Sequence, residues 1–493
     1  MATNRNSSIL PAAVDRWPSD VGILDMELYF PSYYVDQTAL ETFDGASTGK
    51  YTIGLGQKEM GFCTDREDVA SLCLTVVSRL FDRQAPDLRR QIGRLEVGTE
   101  TLIDKSKSVK SVLMQLFEAY DQTDIEGVDT LNACFGGTQA LFNALNWIES
   151  SSWDGRLALV VMGDIAVYGA GVARCTGGAG AIALLVGPNA PIVFDRGVRA
   201  IHMRHTYDFY KPNMACEYPT VDGPKSVEGY LNSIDRCYTL YREKLAKIEC
   251  RTKTITLDEF DACLFHTPFS KLVQKSVARL RYLDVINDPE KFAANGASEA
   301  VLKFKDLPPE KTYNDKELEK TFMEFSRDVF TQKTEPALWL AKHVGNMYTP
   351  SLYSGLISYL LNTPLERLKD GARVLLFSYG SGSASAMFSA RIRRPGCAKP
   401  NGEADSYNLE GLVKKLQDVR YRLQQRRSIR PEEFTEILKT REEAYGKAPY
   451  TPIGKTEDLF PGTYYLTEID EKYRRKYEVA KFAWAERNGP MKE

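Results

Sequence analysis

One residue in this chain is placed to act as a nucleophile. Cys134 stands in "NACFGGTQALFNAL", between an apolar approach and the pair Gly136 and Gly137. Behind it, Leu141, Phe142, Leu145 and Ile148 recur at the spacing of one helix face, which predicts that the thiol sits at or just before a helix N-terminus. Unpaired backbone N–H groups and the positive end of the helix dipole favour a thiolate there, so a lowered thiol pKa is expected. The two glycines would leave room for a substrate carbonyl to approach the backbone. The competing reading is a small buried hydrophobe without chemistry.

A thiol nucleophile needs acid and base partners. Histidine is scarce, occurring only as His202, His205, His266 and His343. His266 follows the apolar run of "ACLFHTPFSKLVQKS", at a strand end, where functional groups of α/β proteins collect. "HMRH" at 202–205 has no carboxylate or thiolate at supporting spacing, so no metal site is expected. Glu100 closes "LEVGTE", and a carboxylate partly buried at a strand tip can be raised into the range of a general base. The turn "SYGSGSAS" at 378–385 lacks the spacing of a phosphate-binding loop, and "GLGQKE" at 54–59 lacks the third glycine of a dinucleotide fingerprint. A turn of small residues can still offer backbone N–H groups to a developing oxyanion.

These residues must be held by strands and helices, and the hydropathy pattern supplies both. "VGILDMELYF", "IGRLEVGTE", "LALVVMGD" and "GAIALLVG" read as strands covered on both faces, while "VASLCLTVVSRLF" reads as a helix, an α/β alternation. The run "ARVLLFSYGSGSASAMFSAR" at 372–391 repeats the grammar of the Cys134 stretch: strand, turn of small residues, helix-like segment. Two such units, one per half, predict an internal duplication with its boundary near "VGPNAP" at 186–191. The charged segment 282–335 reads as a surface excursion with helices. "LEGLVKKLQDVRYRLQQRR" at 409–427 reads as one amphipathic helix whose basic end is a solvated face, and Pro431 with two glutamates as the start of another.

The totals exclude several classes of function. The 493 residues carry 64 Lys plus Arg against 66 Asp plus Glu, so no global basic field exists to neutralise a nucleic-acid backbone. No apolar run approaches the roughly 18 residues of a membrane span. The nine cysteines are odd in number and form no CxxC pair, as expected of reduced thiols. The N-terminal segment lacks the apolar stretch of a secretory signal and carries Asp15 and Asp20 where a mitochondrial presequence avoids acids, so a cytoplasmic protein is expected.

The stretches around Cys134 and Glu100, together with "GKYTIGLGQ", "MGFCTDRED", "GDIAVY", "HTYDFYKP", "FHTPFSKLVQKS", "GNMYTPSLY" and "FSYGSG", resemble 3-hydroxy-3-methylglutaryl-CoA synthases of the eukaryotic type. The likeness runs from about Val21 to about Tyr473. It implies an α/β thiolase-like fold, two duplicated halves forming a five-layer αβαβα core, usually as a homodimer. The expected divisions are a tail at 1–20, an N-terminal half at 21–187 with Glu100 and Cys134, a C-terminal half at 188–473 with His266 and the Ser381 turn, and a tail at 474–493. The implied reaction condenses acetyl-CoA with acetoacetyl-CoA and water, giving 3-hydroxy-3-methylglutaryl-CoA and CoA on the mevalonate route. CoA thioesters are substrates, and neither cofactor nor metal is implied.

By the same resemblance Cys134 carries the acetyl group, Glu100 is the general acid and base, and His266 positions acetoacetyl-CoA and polarises its ketone. The N–H groups of Cys134 and Ser381 form the oxyanion hole. Lys50, Lys271 and Lys275 match CoA contacts, Thr176, Ser226 and Asn346 line the acyl or pantetheine site, and Asp164, His202 and Asp208 support the catalytic geometry. Three positions depart from relatives: Phe135 replaces a tyrosine, Val172 an asparagine and Cys175 a proline. Two other readings compete. A ketoacyl synthase of the same fold would pair cysteine with His and Asn or a second His and lack the Glu100 motif, and a silent acyl-CoA-binding protein would need no intact Cys134, Glu100 and His266.

Overall fold

Strands that are apolar on both faces must be covered on both, and the apolar runs of this chain are buried along almost their whole length. The computed structural model describes residues 18–394 and 407–481; the N-terminal segment before 18, Cys397 and residues 482–493 lie outside them. The ten strands of the main sheet are β1 Gly22–Tyr29, β2 Ile92–Gly98, β3 Asp129–Thr130, β4 Leu157–Ala166, β5 Gly178–Gly187, β6 Ile192–Phe194, β7 Ala200–Met203, β8 Ala262–Phe265, β9 Arg373–Gly380 and β10 Ala384–Ile392. They pair in the order β8, β9, β10, β6, β1, β5, β4, β2, β3, with β7 beside β10. The short β6 bonds both β1 and β10 and so joins the sheets of the two halves.

Side-chain alternation along the strands makes the layers. Val374 and Leu376 of β9 face one core, shared with the N-terminal half, whereas Leu375, Phe377 and Tyr379 face a second. The main helices are α1 Val69–Asp82, α2 Gly136–Ile148, α3 Gly223–Ile248, α4 Ser270–Asn287 and α5 Ser351–Asn362. Helix α2 lies between the halves: Phe142 meets Phe388 of β10 edge to face at 5.1 Å, and Thr138 donates to Ser378 of β9 at 2.7 Å. Its neighbour α5 contributes Tyr353, whose hydroxyl pairs with Thr138 at 3.0 Å. Helices α3 and α4 build the second core, and α1 packs on β1, β4 and β5. This is the five-layer αβαβα arrangement of a thiolase-like fold.

Several expectations need correction. The run 372–391 is not strand, turn and helix: β9 returns as the antiparallel β10, with Phe377 opposite Met387. Apolar and small residues at every position fit a strand buried on both faces as well as a helix, and periodicity alone does not separate them. The repeated unit is helix, strand, antiparallel strand, with α2, β4 and β5 in one half matching α5, β9 and β10 in the other. Segment 409–427 is two helices, Leu409–Leu416 and Asp418–Gln424, with Leu409, Leu412, Val413, Leu416, Val419 and Leu423 buried along one face. Its basic end is solvated only in part: Arg427 is exposed, whereas Arg422 and Arg426 are buried against Glu27 and Glu59. The excursion 282–335 is helical but sends Phe292, Leu318 and Phe322 into the second core. The tail drawn from 474 begins inside a hairpin, because Arg475–Val479 pairs with Tyr464–Ile469 and Tyr477 donates to Asp68 at 2.8 Å.

The glycines beside Cys134 also serve a different purpose from the one read in the sequence. A Cβ on Gly136 would meet the Thr130 carbonyl oxygen at 2.7 Å, and one on Gly137 would meet Met162 Sδ at 2.8 Å. Across the contact, a Cβ on Gly98 would lie 2.3 Å from the Gly137 Cα. Bare backbone on both sides lets α2 seat against β2, which fixes Cys134 relative to Glu100. Gly98→Ala is therefore expected to lower stability by about 1–3 kcal/mol, the cost of overpacking a rigid contact. Denaturant unfolding measures it, and an unchanged midpoint would show that the contact can relax.

Candidate active site

Cys134 lies in the bend between β3 and α2, after Ala133, whose backbone adopts a left-handed φ of 42°. Its Sγ–H donates to Oε2 of Glu100 at 3.5 Å. Glu100, two residues past β2, is buried, and its loop is clamped by Asp164 of β4. Asp164 Oδ1 accepts from the Glu100 N–H at 3.0 Å, the Thr99 hydroxyl at 2.7 Å and the Thr101 hydroxyl at 2.9 Å. Its Oδ2 accepts from the hydroxyl and the N–H of Thr349, just ahead of α5. Burial, then the Glu100 charge, push the Asp164 carboxyl up to about 6 against these hydrogen bonds. Folding thus favours its protonated form, and the stability this gives is present below the usual carboxylate range and lost as pH rises toward 6.

The expected lowering of the Cys134 pKa does not occur. Burial, followed by the neighbouring Glu100 and Asp164 charges, holds the thiol well above its ordinary value. Helix α2 does begin at Gly136, but Phe135 intervenes at its cap, and a partial helix charge is small beside a full carboxylate at hydrogen-bond distance. The resting group is a thiol already aimed at a carboxylate.

Lys211 is the member of the site that the sequence reading missed. It follows Phe209–Tyr210, a strand paired with Thr220–Val221, and its Nζ lies 2.6 Å from Oε1 of Glu100 and 4.6 Å from the Tyr348 ring centre. Burial works against the Lys211 charge, but Glu100 outweighs it and the pKa is raised. The signal available was a lysine embedded in "DFYKP", an aromatic run that can shelter a cation. Glu100, Lys211, Asn132, Ala133, Glu217 and Ser381 line one cavity of about 380 Å³.

The C-terminal half brings the other expected groups to this end of the sheet. His266 follows β8, its N–H donating to the Phe377 carbonyl at 2.8 Å and its carbonyl accepting from the Tyr230 hydroxyl at 2.6 Å. That register sets it beside Ser378, the partner of Thr138 on α2. Burial drives the His266 pKa down to about 3, so the ring is neutral at physiological pH. Asp208 grips the Ser381 turn by accepting from the Gly382 N–H at 2.9 Å and the Tyr379 hydroxyl at 3.0 Å.

Candidate CoA contacts fall into groups. The Lys271 N–H donates to the Leu55 carbonyl at 3.0 Å, which sets the Lys50–Gly54 turn against the start of α4. Lys271 Nζ donates to Gln274 at 2.9 Å, whereas Lys275 is engaged by Glu319 at 3.1 Å. Buried Asn346 accepts from the Tyr348 N–H and the Ser351 hydroxyl, both at 2.9 Å, and so shapes the wall that carries Tyr348. The Thr176 hydroxyl donates to the Ala173 carbonyl at 2.7 Å. Ser226 lies in the first turn of α3, and His202 lines a separate cavity with Arg204, His205 and Lys225. Of the departures, Phe135 is buried, with Gly380 close against its backbone. Val172 is 76% exposed, and Cys175 is a buried thiol raised to about 12 by burial, hence inert. Among the described residues no cluster of three or more His, Cys, Asp and Glu could hold a metal, and no helix is long and apolar enough to cross a membrane.

A half-buried thiol beside a buried carboxylate, in the crease of a duplicated thiolase-like fold, defines an enzyme of the acyl-transferring, condensing class. Models for the N-terminal and C-terminal parts of hydroxymethylglutaryl-coenzyme A synthase match residues 17–191 and 192–480. The chain is 54% identical over 94% of its length to a cytoplasmic hydroxymethylglutaryl-CoA synthase of Gallus gallus, of which it covers 87%. It is 51% identical over 97% of its length to a mitochondrial hydroxymethylglutaryl-CoA synthase of Mus musculus, of which it covers 93%. Among solved structures, MvaS in complex with 3-hydroxy-3-methylglutaryl coenzyme A superposes with a TM-score of 0.75 at 29% identity, covering 94% of this chain and 99% of that one. The chain belongs to the hydroxymethylglutaryl-CoA synthase family.

The raised thiol has a measurable signature. Alkylation of Cys134 by iodoacetamide, followed by peptide mapping, is expected to keep accelerating above pH 9, beyond the ordinary thiol pKa of about 8.5. Glu100→Gln removes the repelling charge and is expected to move that rise to lower pH. A rate that levels off below pH 8 in the wild type would mean a lowered thiol pKa instead.

Proposed function

We propose that Cys134, Glu100 and His266 carry out the family's condensation of acetyl-CoA with acetoacetyl-CoA and water to 3-hydroxy-3-methylglutaryl-CoA and CoA. The observation that carries the reading is the Cys134 Sγ–H aimed at Glu100 Oε2 at 3.5 Å in a buried crease. A thiol with a raised pKa attacks best as its proton leaves, and Glu100 stands where that proton goes. Sulfur bonds to the acetyl carbonyl carbon, the carbon–sulfur bond to CoA breaks, and the proton from Glu100 leaves with CoA. The backbone N–H groups of Cys134 and Ser381 are the donors for the oxyanion of this step.

Glu100 then removes a methyl proton from acetyl-Cys134, and the enolate carbon bonds to the ketone carbon of acetoacetyl-CoA. The ketone oxygen becomes an alkoxide and takes the proton from Glu100. His266, neutral because it is buried, polarises that oxygen as a hydrogen-bond donor without introducing a charge. Water hydrolyses the thioester, freeing Cys134 and the product. Lys50 and Lys271, at the neighbouring turn and helix start, are the candidates for CoA phosphate and pantetheine contacts, and Lys275, Thr176, Ser226 and Asn346 are further candidates for binding the two thioesters.

The working form is a homodimer. Strand β3 is the edge of the main sheet, and the flanking Val128 and Leu131 are each 60% exposed, a pairing edge that a second copy would cover. The similar enzymes include cytoplasmic and mitochondrial ones, and the 54% identity to the cytoplasmic enzyme of Gallus gallus supports a cytoplasmic location.

Acetyl-CoA alone is expected to add one acetyl group to Cys134, read by intact mass and peptide mapping; an unmodified Cys134 would overturn the reading. Glu100→Ala should still acquire the acetyl group, but more slowly, because the proton acceptor for the thiol is lost while the thiolate that does form is stabilised by Lys211 and no longer repelled by a carboxylate. Condensation should fall by about 100-fold or more without the base. His266→Ala should mainly raise KM for acetoacetyl-CoA. Turnover with a malonyl thioester in place of acetoacetyl-CoA would favour the ketoacyl synthase reading.

A further inference from the structure

A carboxylate as buried as Glu100 would ordinarily take up a proton and lose its use as a base. Its surroundings add to that pressure. Asp164 faces it from β4, the Cys134 thiol from the bend before α2, and the half-buried phenol of Tyr168 and the buried phenol of Tyr348 from the adjoining wall. The one cation among these groups is Lys211. Glu217, on the cavity wall near Lys211, is engaged by Arg441 through two bonds of 2.9 and 2.8 Å and does not compete for the ammonium.

The geometry divides the two carboxylate oxygens. Oε1 meets Lys211 at 2.6 Å, and Oε2 meets the Cys134 thiol at 3.5 Å. The lysine stem is flexible by nature, but here the ammonium is caged by the rings of Tyr348 at 4.6 Å and Phe209 at 5.7 Å. We propose that Lys211 is a positioning residue, the fixed counter-ion that keeps Glu100 charged and turns Oε2 toward Cys134 and the cavity. This rests on the reading of Glu100 as the base. Once Glu100 holds the proton, Lys211 remains a cation on the cavity wall, so the negative charge moving onto substrate is still balanced.

The test compares Lys211→Met, Lys211→Arg and the double variant Lys211→Met/Glu100→Gln with the wild type. Without its counter-ion Glu100 titrates at higher pH, so the acid limb of the kcat profile for condensation is expected to move up by about one unit or more in Lys211→Met. Lys211→Arg should restore most of its position. A second measurement needs no substrate. In Lys211→Met a charged Glu100 would stand unpaired in the crease, a cost that is absent at low pH and grows as pH rises. The melting-temperature gap between Lys211→Met and wild type should therefore widen from pH 5 to pH 8, and Glu100→Gln should abolish that widening. An acid limb that stays in place in a folded Lys211→Met, or a gap independent of pH, overturns the proposal. A wild type that makes no product from the two thioesters overturns the reading of the site instead, while the melting comparison still decides whether Lys211 holds Glu100 charged.

Discussion

A carboxylate cannot stay charged in a dry crease without compensation, and the Glu100 neighbourhood is organised around that constraint. Lys211 supplies the opposite charge, Asp164 holds the loop through its backbone, and Cys134 presents a thiol to the remaining oxygen. The same low polarity that would neutralise Glu100 makes its interactions strong once they are paired. It also keeps Cys134 protonated at rest, which protects it from adventitious electrophiles while leaving its proton one short transfer from a base.

Such a crease requires two rigid bodies that meet closely. The chain builds them from one repeated unit, and the central helices α2 and α5 lie back to back where the halves join. Close approach of α2 to β2 depends on bare backbone at Gly98 and Gly137, and the Thr138 to Ser378 bond carries the register across to the strand beside His266. Thr349, at the entry to α5, bonds the same Asp164 that holds Glu100. The distance between Cys134 and Glu100 is thus tied to the packing of both halves.

How much of this was legible in the sequence follows from how local each signal is. The helix behind Cys134, the strand before Glu100 and the strand before His266 are written in contiguous residues and stand where the pattern put them. The strand after the Ser381 turn was misread because a segment buried on both faces loses the alternation that marks a half-exposed strand. Arg422 and Arg426 were misread as solvated because their partners Glu27 and Glu59 are hundreds of residues away. Lys211 failed to stand out for the same reason, since a counter-ion is defined by what it meets. The direction of the Cys134 shift was lost because a helix start is visible in one stretch and a carboxylate from another strand is not.

The contrast between Glu100 and His266 shows what burial does in the two halves. Both are buried polar groups near the same end of the sheet, yet only Glu100 has an ion-pair partner. Burial alone strips His266 of its proton and leaves a neutral ring, whereas Glu100 is buried with Lys211 as an ion-pair partner. Burial by itself sets the state of His266, whereas an ion pair sets that of Glu100, so the depressed histidine and the charge-balanced carboxylate are two consequences of burial without and with a partner.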